Sequence, residues 1–90
     1  MYEIKATARF KKDIKLLQKR GYNIALLQQV IEILARGESL PKNYADHRLN
    51  GAWSEFRDCH IQPDWLLIYR IDEDILILTL TRTGTHSDLF

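Results

Sequence analysis

Ninety residues, 46% of them apolar and including two Trp, four Tyr and three Phe, suffice for one compact domain and exclude a disordered segment. One cysteine, Cys59, excludes a disulfide framework and a multi-cysteine zinc site; the absence of a signal region or a bilayer-length apolar run makes a cytoplasmic protein with no membrane association the expectation. The net charge of +1 is uneven: residues 1–20 hold seven Lys/Arg against two acids (+5), the rest six against ten (−4), so a polyanion or acidic partner is expected near the N-terminal third.

Tyr2, Ile4 and Ala6 alternate with Glu3 and Lys5 and predict a short strand. Thr7 is placed to cap a helix whose apolar stripe is Phe10, Ile14 and Leu17, with Lys11, Lys12, Lys15 and Lys19 on the other side and Gly21 as the stop. Asn23 caps a second helix lined by Ile24, Leu27, Ile31 and Leu34 with Val30 beside them, ended by Gly37, and the tight link predicts an antiparallel helical hairpin. Glu38 to Asp46, with Pro41 and Asn43, reads as a loop.

The second half reads as strands: Ser54 to Ile61, Trp65 to Ile71 and Ile75 to Thr81, with turns at Gln62-Pro63 and at Asp72-Glu73-Asp74. The expected architecture is α+β, an N-terminal strand and helical hairpin packed on a curved antiparallel sheet, in one domain over residues 1–90. A turn centred on Glu73 would set Ile71 opposite Ile75 and Asp64 opposite Arg82. His60, Asp64 and Arg82 would then meet at one sheet end, with Trp65 beside them and His86 just beyond.

Histidine exchanges protons near neutral pH, so His47, His60 and His86 in the β half are candidate acid–base groups. Each alone is common surface filler; their convergence with Asp64, Arg82 and an aromatic is what raises them above it. The three histidines match no local zinc-ligand spacing, so neither metal nor cofactor is expected. No Gly-rich phosphate loop or serine elbow is present, and Cys59 reads as a buried structural thiol.

The segments from Asp46 to Trp53, from Phe56 to Trp65 with Leu67-Ile68-Tyr69, and from Arg82 to Phe90 resemble the YafQ branch of the RelE/ParE toxin superfamily. Residues 10–15 and Leu40-Pro41 fit it as well, so the resemblance spans essentially the whole chain. It implies the toxin of a type II toxin–antitoxin pair: a ribosome-dependent, metal-independent endoribonuclease cleaving mRNA through 2′-OH attack. It further implies a cognate antitoxin, contact with operator DNA only through the antitoxin complex, and functional roles at His47, His60, Asp64, Trp65, Arg82, His86 and Phe90, with Asp58 contributing.

On that reading His86 is the general acid, His47 or His60 the base, and Asp64 orients one of them. Arg82 would hold the scissile phosphate, Trp65 and Phe90 would stack on or wall in an mRNA base, and Lys11, Lys12, Lys15 and Lys19 would meet ribosomal RNA phosphates. The toxin alone is expected to be monomeric. The rival reading within the superfamily is a ParE-like gyrase inhibitor that binds protein and cuts no RNA.

Overall fold

A computed structural model describes all residues, Met1–Phe90. The first strand, β1 (Glu3–Ala6), leads into α1 (Ala8–Lys19) and α2 (Ile24–Ala35). The caps are where the local chemistry puts them. Phe10 N–H donates to Thr7 Oγ1 at 3.0 Å and Ala25 N–H to Asn23 Oδ1 at 3.1 Å, satisfying N–H groups that a helix start leaves without partners. The Thr7 hydroxyl also donates to Thr81 O at 2.8 Å, which ties the start of α1 to the sheet.

The loop after α2 holds a 3₁₀ turn at Lys42–Tyr44 and ends in β2 (His47–Arg48). A second 3₁₀ turn, Gly51–Trp53, precedes β3 (Arg57–Gln62), β4 (Trp65–Asp72), β5 (Ile77–Gly84) and the four-residue α3 (His86–Leu89). The sheet order is β1-β5-β4-β3-β2. Pairings β2–β3, β3–β4 and β4–β5 are antiparallel, while β1 joins β5 in parallel at the sheet edge.

The core lies between the helical hairpin and one sheet face. Phe10, Leu17, Leu27, Val30 and Leu34 from the helices pack with Cys59, Ile61, Trp65, Leu67, Tyr69, Leu78 and Leu80 from the strands. Strand alternation sends Asp58, His60, Leu66 and Ile68 to the opposite face.

Two registers differ from the sequence-based expectation. The β4–β5 turn is longer, since Asp72 pairs with Ile77; Asp72 Oδ1 accepts Asp74 N–H at 3.1 Å, and Leu76 turns back through a left-handed backbone (φ 56°). Thr81 is then unopposed between the Tyr69–Leu80 and Ile68–Arg82 pairs, which adds a further residue of slip. Arg82 therefore faces Ile68 rather than Asp64, and the Leu66–Gly84 pairing carried two residues on sets Asp64 across from His86. In β3–β4 the turn is Pro63-Asp64 rather than Gln62-Pro63, with His60 opposite Leu66.

Candidate functional site

His47 is presented by a short strand held from below. The preceding Asp46 receives Arg57 Nη2 at 3.2 Å and the buried Tyr69 hydroxyl. Burial raises the Tyr69 pKa, with the Asp46 hydrogen bond adding to it, so the phenol stays a donor. Ala45, left-handed at φ 49°, bends its carbonyl back to within 2.8 Å of His47 Nδ1. A carbonyl only accepts, so Nδ1 carries the proton and Nε2 is left free.

Pairing of His47 with Asp58 across β2–β3 brings the next member in. Asp58 is 5% exposed, and its Oδ1 lies 3.1 Å from His47 Nδ1 yet outside hydrogen-bonding direction, because the Nδ1 proton is aimed at Ala45. Burial raises the Asp58 pKa; the nearby His47, His60 and His86 rings act against that rise. The carboxylate is therefore a buried negative group sensed by all three imidazoles.

His60 and His86 lie edge to face with ring centroids 5.8 Å apart. His60 Nδ1 is 3.3 Å from Pro63 O, a neutral acceptor. His86 Nδ1 is 2.6 Å from Asp64 Oδ1, which also accepts His86 backbone N–H at 3.1 Å. Those two hydrogen bonds lower the Asp64 pKa and keep the exposed carboxylate ionised. His86 opens α3, whose start is a capping box between Thr85 and Asp88.

Two expected members have other duties. The Trp65 ring is 1% exposed, stands edge-on to Tyr22 in the core and donates from Nε1 to Thr83 Oγ1 at 2.9 Å. It is enclosed on all sides and presents no face to a base, so the stacking role expected of it does not hold here. Arg82 spends its fork on Asp13 of α1, with Nε to Oδ2 at 2.9 Å and Nη2 to Oδ1 at 3.1 Å. The bidentate clamp is thus closed on a carboxylate rather than open for a phosphate.

Phe90 is 70% exposed beyond α3, and Lys11, Lys12, Lys15 and Lys19 are all exposed on α1. Asp13 is the residue that sequence reasoning missed. It also accepts Thr83 N–H at 3.1 Å and is buried. The signal was present: an acid between Phe10 and Leu17, on the apolar stripe, in a run of bases.

The hollow of about 780 Å³ lined by Tyr2, Glu38, Asp46, Arg57 and Tyr69 holds none of the histidines. The partly exposed histidine cluster sits instead at an open sheet edge, which suits an extended chain better than an enclosed small molecule.

The small domain is thus a helical hairpin on a five-stranded sheet, with three imidazoles and two carboxylates at one edge. Residues 2–90 match the family described as the bacterial toxin of the type II toxin-antitoxin system, YafQ, and the chain belongs to that family. The mRNA interferase toxin YafQ of Escherichia coli strain K12 is 39% identical over 89 residues, covering 98% of this chain and 95% of that one. The toxin in the E. coli DinJ-YafQ complex superposes with a TM-score of 0.92 at 38% identity, covering 100% of this chain and 99% of that chain. A metal-bound toxin from Helicobacter pylori superposes with a TM-score of 0.94 at 42% identity, with full coverage of both chains.

Proposed function

We propose that this chain is a cytoplasmic endoribonuclease that cuts mRNA on the ribosome by acid–base chemistry, without a metal, and is held inactive by a cognate antitoxin. The observation that carries the reading is the His60–His86 pair, 5.8 Å apart, with one ring held by a carbonyl and the other by an ionised carboxylate. Similarity to the interferase of E. coli supports the substrate class, and the DinJ-YafQ complex supports the antitoxin partner.

The different partners of the two rings support different roles. His60, with its Nδ1 proton on Pro63 O, offers a free Nε2 lone pair and takes the proton from the 2′-OH. The 2′-oxygen attacks the adjacent phosphorus, and the bond from phosphorus to the 5′ oxygen breaks. His86, held by Asp64 through Nδ1, gives its Nε2 proton to that departing oxygen. The products are a 2′,3′-cyclic phosphate and a 5′-hydroxyl, with one proton moved onto His60 and one off His86.

His47, its Nδ1 likewise held by a backbone carbonyl, stands beside buried Asp58 with Nε2 free as the second candidate base, and Arg82 cannot clamp the phosphate bidentately while Asp13 holds it. Every step is written on side chains alone. Phe90 is the exposed aromatic for stacking, and the α1 lysines supply salt-sensitive attraction to ribosomal RNA phosphates. Operator DNA is reached only in complex with the antitoxin, and the toxin alone is a monomer.

Primer extension on mRNA from cells expressing the chain, beside a His86→Ala control, tests this. Discrete translation-dependent cuts that vanish in the control are expected. Growth arrest with intact mRNA would instead favour a gyrase-inhibiting toxin.

A further inference from the structure

β1 stops pairing at Ala6–Leu80, so the last residues of β5 run on with no strand on that side. Helix α1 takes the strand's place there. Asp13 accepts the Thr83 N–H that would otherwise face an empty edge and holds the Arg82 fork.

Seven residues further along the same helix face, Arg20 binds Asp88 through Nη1 to Oδ2 at 2.8 Å and Nη2 to Oδ1 at 3.2 Å. Asp88 in turn accepts Thr85 N–H at 2.9 Å, and Thr85 is the neighbour of His86. Gly84 leaves no slack between the two anchors, because a Cβ there would lie 3.0 Å from Asp88 Cβ.

A four-residue helix is too short to hold its own geometry. The direction in which His86 points is therefore set by what grips the tail on either side. Asp64 grips it from the β3–β4 turn, and α1 grips it from behind.

We infer that Asp13 and Arg20 are positioning residues for cleavage, two carboxylate–guanidinium clamps by which α1 holds the His86 tail in register with His60. The inference rests on the reading of His86 as the acid. Neither residue touches substrate. Misplacing a proton donor by about 1 Å is enough to lower a rate by roughly a hundredfold, whereas an exposed ion pair such as Arg20–Asp88 contributes little to stability.

Asp13→Asn, Arg20→Ala and the double variant, compared with the parent in a reconstituted translation system, provide the test. Each single variant is expected to lower kcat by about tenfold or more with KM within about twofold. The double variant is expected to be no worse than the product of the singles, since both clamps serve one tail. Arg20→Lys, which retains one donor to Asp88, should restore part of the rate.

Nitrogen-15 spectra of the His86 ring in the same folded proteins give a readout independent of cleavage. The parent should show an Nδ1 proton held by Asp64, and the variants a shift toward a free imidazole. Folded variants with the parent's His86 signals and a kcat within about twofold would overturn the inference. Shifted signals with an unchanged kcat would keep the clamps and remove His86 from the chemistry.

Discussion

Asp58 and Asp64 flank the histidine cluster and are built in opposite ways. Asp58 is buried, lacks a hydrogen bond on Oδ1 and has a raised pKa; Asp64 is exposed, takes two hydrogen bonds from His86 and has a lowered one. The exposed carboxylate secures one ring tightly. The buried one acts on three rings at longer range and destabilises the fold by its own desolvation. On the proposed mechanism one acid serves aim and the other field, and the two should respond differently to mutation.

The largest effect is expected at the ring that Asp64 aims. His86→Ala should lower cleavage by about 10²–10⁴-fold, with unchanged antitoxin binding measured by calorimetry. Asp64→Asn should follow with a loss of roughly 10–100-fold in kcat and little change in Tm, because the group is solvent-exposed.

Asp58→Asn should split activity from stability. Its raised folded pKa means that stability is highest while the carboxyl is protonated and is lost as pH rises through that folded value. Removing the charge should therefore raise Tm at neutral pH and flatten this loss, while cleavage falls. A lower Tm at neutral pH would show that the charge itself holds the rings together.

Asp88 has the reverse sign. The Arg20 and Thr85 hydrogen bonds lower its pKa, so it contributes stability above the ordinary carboxylate pKa that is lost as pH falls toward its folded value. Acid unfolding should begin earlier in Asp88→Asn than in the parent, and urea titrations between neutral pH and pH about 3 would register it.

The smallest effect separates two aromatics. Trp65→Phe should lower stability by about 1 kcal/mol through the lost bond to Thr83 and leave RNA affinity unchanged. Phe90→Ala should weaken substrate binding by about 1–3 kcal/mol per stacked base with the fold intact.

The helical hairpin was legible because Thr7 and Asn23 announce their helices and the apolar stripes keep a 3.6-residue period. Of the expected convergence of His60, Asp64 and Arg82, with His86 just beyond, the meeting of His60, Asp64 and His86 was legible because hairpins gather residues at sheet ends even when the register slips, whereas Arg82 turns to Asp13. The identity of Asp64's partner was not. It depends on the length of the β4–β5 turn and on one unopposed residue, Thr81, neither of which alternation records.

Thr85-His86-Ser87-Asp88 spells a capping box, so the start of α3 is legible in the sequence. The parallel seating of β1 and the enclosure of Trp65 required the packed structure.

Cleavage of a defined mRNA with a single 2′-deoxy nucleotide at the mapped cut site tests the central claim most directly. No cut is expected at that position, with the all-ribose control yielding a 2′,3′-cyclic phosphate and a 5′-hydroxyl. A cut that persists at the deoxy nucleotide would contradict it, because the attacking oxygen would then not come from the RNA.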